Sequence, residues 1–255
     1  MAEHDFTGRT ALITGAASGI GAACAQWLDR HGIAELVLVD LDERGLQKLE
    51  LSCQAQRIAG DVADPSLWDA IEGQLSRLDH AHINAGIANG CALVDQDFDD
   101  WKRMLAINLD GMFLGLRTAL RIMKKHGDGK SIVLTSSVAG IKPLPATAAY
   151  GSSKAAVAHL ARIAAAEHAA DGIRVNAVAP GRVDTPIWTK TAQFRQLEQE
   201  LGSREAALAA LAEEAAPLGR VATADEMAGQ IGFLLSDEAW NITGTVLVSD
   251  GGYSL

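Results

Sequence analysis

Tyr150 and Lys154 stand four residues apart in Tyr-Gly-Ser-Ser-Lys, and Ser137 lies thirteen residues upstream in Thr-Ser-Ser-Val-Ala-Gly. On a helix that spacing stacks the tyrosine and the lysine on one face, one turn apart. A free phenol ionises at roughly 10, and a neighbouring ammonium favours the phenolate and draws that value toward neutrality. Such a hydroxyl, held by a serine, can give or take the proton that separates an alcohol from a ketone. The thirteen-residue gap selects Ser137 over Ser136 as that serine. The pair alone is common by chance, so its weight depends on what else the chain positions around it.

The N-terminal end reads Arg-Thr-Ala-Leu-Ile-Thr-Gly-Ala-Ala-Ser-Gly-Ile-Gly. A short β-leaning run, Ala11 to Thr14, passes through Gly15, Ser18, Gly19, Ile20 and Gly21 into an amphipathic stretch ending near His31. Strand, glycine turn and helix in this order bring backbone N–H groups and a helix N-terminus to a pyrophosphate. The glycines permit the turn and the close approach of phosphate to backbone.

These residues, in this order, resemble the short-chain dehydrogenase/reductase family. Further matches are Asp61-Val62, Asn84-Ala85-Gly86, Asn108 in Ile-Asn-Leu-Asp-Gly, Pro180-Gly181 with Thr185, and Asp250-Gly251-Gly252. The resemblance spans essentially all 255 residues. One departure stands out: the family usually carries two asparagines before Ala-Gly, and here the first is Ile83.

The resemblance implies an enzyme that transfers hydride between a nicotinamide coenzyme and a secondary alcohol or ketone. Tyr150 would be the general acid/base, Ser137 the group that fixes the substrate oxygen, and Lys154 the residue that tunes the phenol and anchors the nicotinamide ribose. Asn108 would order a water that relays protons from Lys154 to solvent. Asp61 and Val62 would border the adenine, Asn84, Ala85 and Gly86 the adenosine ribose, and Val183 and Thr185 the nicotinamide carboxamide, beside Pro180 and Gly181.

The expected coenzyme is NAD. An acidic residue, Asp40, ends the second apolar run about 20 positions past the glycine turn, where it can accept from ribose hydroxyls. A 2′-phosphate there would face a carboxylate, a repulsion of about 4 kcal/mol for unit charges about 4 Å apart at an effective dielectric of about 20. Relatives that prefer NADP place a basic residue at the positions of Ser18 and Leu41, and neither is basic here. The other reading of Asp40 is a helix cap, a role Asp42 could serve equally well.

Composition supports an ordinary globule, nearly half apolar and about a fifth charged. A formal charge of −10 argues against nucleic acid as a partner. No apolar run approaches the roughly 20 residues a membrane helix needs. The opening Met-Ala-Glu-His-Asp-Phe lacks the pattern of an export signal. Cys24, Cys53 and Cys91 are few and widely spaced, as expected of reduced thiols in the cytoplasm. A zinc route to the same reaction lacks paired cysteines, and His80, His82, His126, His159 and His168 read as structural, surface or interface residues.

Helical and strand patterns alternate from end to end, which predicts an α/β chain: one doubly wound, Rossmann-type domain over residues 1–255, with a parallel seven-stranded sheet and helices on both faces. Strands are expected at 11–14, 36–39, 55–59, 81–84, 131–136, 174–179 and 246–248. Helices are expected at 20–30, 43–51, 65–78, 98–125, 149–170 and 224–235. The apolar positions of the fourth helix (Met104, Ile107, Met112, Phe113, Leu116, Leu120) spread more widely than one core stripe requires, and the fifth is crowded with alanine. Both fit helices that also pack on another subunit, and the resemblance implies a homotetramer. Between Pro186 and Pro217 the alternation lapses into extra helices at 189–201 and 204–216, read as a lid over the substrate.

Apolar candidates for the pocket (Ile141, Leu144, Val183, Ile187, Trp188) favour apolar or cyclic alcohols, including hydroxysteroid-like ones, over sugars. A 3-oxoacyl-thioester reductase is the competing enzymatic reading, disfavoured by Asp40 and by an acidic balance that would repel an acidic carrier protein. A dinucleotide sensor without catalysis is the reading from another class, and such proteins usually lose the tyrosine or lysine retained here.

Overall fold

The computed structural model describes residues 4–125, 130–189, 192–215 and 217–255. Seven strands, β1 (Thr10–Thr14), β2 (Glu35–Asp40), β3 (Gln54–Ala59), β4 (His80–Ile83), β5 (Lys130–Thr135), β6 (Ile173–Pro180) and β7 (Val246–Ser249), form one sheet in the order β3-β2-β1-β4-β5-β6-β7. Every neighbouring pair is parallel. The order reverses between β1 and β4, and a ligand crevice belongs at the carboxyl ends of strands flanking such a switch. Each expected strand appears within about a residue of its expected bounds.

Helices cover both faces. On one, α3 (Pro65–Gln74), α5 (Gly111–Met123) and α6 (Ala148–His168) bury Trp68, Met112, Leu116, Val157 and Ala161 against the sheet. On the other, α1 (Gly19–Arg30), α2 (Glu43–Gln47) and α10 (Ala224–Leu235) bury Trp27, Leu28, Leu46, Met227 and Ile231. Buried apolar area on both faces is what makes the strands nearly continuous in hydrophobicity, with β1 fully buried along its length. Ile83 joins the first of these clusters at 1% exposure, so hydrocarbon fills the place where the family carries an asparagine.

Three helices differ from expectation. α2 stops at Gln47 rather than near residue 51, and the Arg57 guanidinium covers its end by donating to the carbonyls of Leu46 and Leu49, both at 3.0 Å. The Leu46 carbonyl also accepts from Leu49 N–H at 3.3 Å, the tightened type of bond with which a last helical turn closes. α3 ends at Gln74 instead of 78, since Leu75 and Leu78 are buried in the extended lead into β4. The long fourth helix is two helices, α4 (Phe98–Leu105) and α5, joined through a π turn at Ala106–Asp110. Most of its apolar residues are buried within the subunit, but Phe113 stays 45% exposed.

Beyond β6 the chain forms α7 (Pro186–Thr189), α8 (Ala192–Leu201) and α9 (Arg204–Ala215). Lys190, Thr191 and Ala216, parts of the expected lid, lie outside the described residues, as do His126 and the side chain of Trp188. Among the described residues no helix is long and apolar enough to cross a membrane.

Candidate active site

The carboxyl ends of β1, β4, β5 and β6 open into a cavity of about 740 Å³. It is lined by Gly15, Ser18, Gly19, Ile20, Asp40, Leu41, Asp61, Val62, Asn84, Ala85, Gly86, Ser137, Tyr150, Lys154, Pro180, Gly181, Val183 and Thr185. That places all but two of the expected site residues around one space. The exceptions, Gly21 and Asn108, sit just behind its wall.

Ser137 lies two residues past the end of β5, and its hydroxyl caps a one-turn 3₁₀ helix by accepting from Ala139 N–H at 3.2 Å. That turn lies directly on α6. A Cβ on Gly140 would come within 2.6 Å of the Ala155 nitrogen and the Lys154 carbonyl carbon, and one on Gly151 within 2.9 Å of the Ala139 oxygen. Only glycine at both positions allows this approach, which brings Ser137 to Tyr150. A hydrogen bond between Ser137 and the phenol pulls the tyrosine's pKa down, but burial is the larger effect and raises it. The direction is therefore opposite to the sequence expectation. The Lys154 ammonium stands 5.8 Å from the phenol ring centroid and does not offset the burial.

Lys154 is 2% exposed. Its ammonium donates to the Thr135 carbonyl at 2.9 Å, while its own carbonyl accepts from Ser136 Oγ at 2.7 Å. Both serines line the cavity, but the Ser136 hydroxyl proton is committed to the backbone of α6, so Ser137 is the one free to donate to a substrate. Desolvation lowers the Lys154 pKa to about 8. α6 itself is entered through Ala146, whose φ of 59° lies in the left-handed region that alanine rarely adopts. The Ala146 carbonyl accepts from Cys91 N–H at 2.9 Å, tying this entry to the loop after β4.

Asn108 lies in the π turn, fully buried. Its amide clamps Ile87 from both sides, accepting from the N–H and donating to the carbonyl, each at 2.8 Å. The wide turn presents this side chain to the loop after β4, and π turns recur at functional sites. Across Gly86, the place where a Cβ would sit is 3.1 Å from Asn108 Oδ1 and 3.3 Å from Lys154 Nζ.

A buried polar chain that carries no sequence signal runs beneath the cavity. Asn84 Nδ2 donates to the carbonyls of Thr14 (3.1 Å) and Gly15 (3.4 Å), which fixes Oδ1 toward Thr135. Thr135 Oγ1 gives its one proton to that oxygen at 3.1 Å and so must accept from His82 Nε2 at 2.9 Å. His82 is therefore assigned as the Nε2–H tautomer, and burial holds it neutral with a pKa of about 3. Through this chain the glycine turn after β1 and the residue that receives Lys154 are braced together. Asn84 thus works mainly inward.

Among the further lining groups that no sequence signal pointed to are Arg103 and Ala106 from the helix side and Tyr253 from the C-terminal tail. Of the apolar pocket candidates, Leu144, Val183 and Ile187 line the cavity, whereas Ile141 does not and is 46% exposed.

A family model described as enoyl-(acyl carrier protein) reductase matches residues 15–254. A cis-4-hydroxycyclohexanecarboxylate dehydrogenase of Sinomonas cyclohexanicum is 38% identical, covering 98% of each chain. The chain is a short-chain dehydrogenase/reductase. Levodione reductase of Leifsonia aquatica is 36% identical over 98% of this short-chain dehydrogenase/reductase and 95% of its own length. A crystal structure of levodione reductase superposes with a TM-score of 0.86 at 33% identity, covering 98% of each chain. L-sorbose reductase from Gluconobacter frateurii, solved with NADPH and L-sorbose, superposes at 0.90 with 29% identity and 98% coverage of each chain.

Members of this family bind a nicotinamide dinucleotide, and the residues of this short-chain dehydrogenase/reductase fit one. Ser18 is the N-cap of α1 but makes no side-chain cap bond, so the first-turn N–H groups are left for an anion. Gly15 and Gly19 have φ of 66° and 55°, and a Cβ on Gly21 would collide with the Gly15 carbonyl. Asp40 is no helix cap; Asp42 takes that role by accepting from Gly45 N–H at 3.0 Å. The Asp40 carboxylate accepts from Ala17 and Asp42 N–H, both at 2.9 Å, and keeps lone pairs for further donors.

Proposed function

We propose that this enzyme oxidises cyclic secondary alcohols with NAD and reduces the corresponding ketones in reverse. The observation that carries the reading is the meeting of Ser137, Tyr150 and Lys154 on one wall of the cavity that opens over the glycine turn. Two relatives, the hydroxycyclohexanecarboxylate dehydrogenase and levodione reductase, support the alcohol and ketone chemistry, and the first is named for a ring substrate. Leu144, Val183 and Ile187 give the pocket an apolar side suited to such a ring.

When bound, the nicotinamide takes up or supplies the hydride. Tyr150 holds the proton that leaves or joins the substrate oxygen, and Ser137 donates a hydrogen bond that fixes that oxygen. Lys154 holds the nicotinamide ribose and shares the proton path with Asn108, the two facing each other across Gly86. Asp40 receives the adenosine ribose hydroxyls, with Ser18 and Leu41 offering no positive charge to a 2′-phosphate. Although L-sorbose reductase was solved with NADPH, the carboxylate at Asp40 favours NAD here. We take the chain as one catalytic domain, with residues 186–217 as the lid. Homotetramer assembly is supported by the exposed Phe113 on α5 and Ile163 on α6, and a cytoplasmic setting by the free thiols of Cys24, Cys53 and Cys91.

A 3-oxoacyl-thioester reductase is the second reading, and the family model's description shares with it only the acyl-carrier substrate, since an enoyl reductase acts on a carbon–carbon double bond. A panel of cyclic and acyclic secondary alcohols and a 3-oxoacyl thioester, each with both coenzymes and followed at the nicotinamide absorbance, separates the two. The expected result is turnover of cyclic alcohols with NAD; reduction of the thioester alone, with NADPH, would overturn the proposal.

A further inference from the structure

The C-terminal tail brings an aromatic ring to the cavity that the hydride chemistry leaves without a role. Tyr253 lines the cavity, and the Lys142 ammonium sits 4.4 Å from the centroid of its ring. The same ammonium donates to the Tyr253 carbonyl at 2.6 Å. Lys142 is in turn tied to the serine turn, its N–H donating to the Val138 carbonyl at 2.8 Å. From the other side Asp250 accepts from Gly252 and Ser254 N–H at 2.9 and 2.8 Å, and Leu218 N–H donates to the Gly251 carbonyl at 3.0 Å. Gly251 and Gly252, with φ of 65° and 89°, fold the tail back. A Cβ on Gly181 would lie 2.7 Å from Asp250 Cα, so the tail packs directly on the segment after β6, and Lys142 ties it to the turn that Ser137 caps.

An aromatic ring has two faces, and a cation over one leaves the other for a ligand. We propose that Tyr253 determines specificity: its free face is a wall of the alcohol site, held flat by Lys142, and it selects cyclic over open-chain alcohols. This rests on the dehydrogenase reading above. A rigid ring lays a whole face on the tyrosine without freezing torsions, whereas an open chain must give up rotamer freedom for the same contact. Aromatic contacts of this kind correspond to a preference of up to about tenfold.

The test compares cyclohexanol with 2-hexanol at saturating NAD in the full-length enzyme. Tyr253→Ala removes the ring but keeps the carbonyl that Lys142 holds. It is expected to raise KM for cyclohexanol about tenfold and for 2-hexanol less than about threefold, with kcat and the KM for NAD nearly unchanged. Tyr253→Phe should behave as wild type, and Lys142→Met should shift the same ratio in the same direction by less. Should Tyr253→Ala fail to fold, Tyr253→Leu carries the same comparison. Equal changes for both alcohols, or an unchanged KM for cyclohexanol, overturn the assignment while leaving the dehydrogenase reading intact. A wild-type enzyme that oxidises neither alcohol overturns both.

Discussion

The ammonium of Lys154 donates to the carbonyl of Thr135 at 2.9 Å, a strand end reaching into the helix that carries the phenol. One backbone oxygen is thin compensation for a charge buried this deeply, and the lysine's pKa falls to about 8 from 10.5. A folded-state value below the unfolded one means the wild type gains stability as pH rises from 8 to 10.5 and lacks that contribution below 8. Lys154→Met should therefore melt a few degrees higher than wild type at neutral pH while being catalytically poor. The gap should close toward pH 10.5. Thermal unfolding across that range checks it, and a variant less stable at pH 7 would contradict the electrostatic account.

Burial keeps the Tyr150 phenol protonated at neutral pH, poised as an acid. Ketone reduction should accordingly be supported near pH 6 to 7, and alcohol oxidation should still be climbing without a plateau at pH of about 9, where the base form is a minority. Tyr150→Phe should lower turnover in both directions by roughly 100- to 10,000-fold while leaving NAD binding intact in a fluorescence titration. Retention of more than about a tenth of wild-type turnover would sink the assignment.

Gly140 touches neither coenzyme nor substrate in the chemistry proposed, yet a methyl group there would press 2.6 Å from the α6 backbone. Gly140→Ala should pry the serine turn away from α6, cutting kcat by at least about tenfold with little change in NAD affinity, because a displacement of about 1 Å is felt strongly in positioned catalysis. Stopped-flow single turnovers and coenzyme titration read the two effects apart. Equal kcat in the variant would show that the contact relaxes freely.

His80 and His82 are both buried neutral, each with a pKa near 3 against an ordinary 6.5. Their folded-state values are depressed, so their contribution is complete above pH 6.5 and is lost as pH falls toward 3. Each should remove about 2 kcal/mol of stability by pH 5. Urea denaturation of His82→Val should show a visibly flatter acid limb than wild type, although the variant also loses the bond to Thr135. An unchanged slope between pH 6.5 and 5 would refute the neutral assignment.

Strand positions and the convergence of Ser137, Tyr150 and Lys154 were legible in the sequence, because alternating apolar runs and motif spacing are local signals. What depended on partners distant in sequence was not. Arg57, ten residues beyond Gln47, covers the carbonyls of Leu46 and Leu49 where α2 gives out, a contact that no local pattern announces. Tyr253 carries no periodic signal, and only the left-handed glycines before it turn it toward the cavity. The spacing of Tyr150 and Lys154 predicts a lowered phenol pKa, but burial outweighs it, with the ammonium 5.8 Å from the ring centroid and turned to the Thr135 carbonyl, and burial is not legible in local spacing. His82 looked incidental from sequence, since nothing local reveals that Thr135 has only one proton to give.

The π turn at Ala106–Asp110 carries a practical consequence for engineering. A five-residue loop of backbone where a helix normally uses four is equivalent to one inserted amino acid. Excising a single position there would straighten the rod but swing Asn108 away from Ile87 by about 100°. Length in this stretch is therefore as tightly specified as identity, and libraries that vary it should keep the residue count fixed.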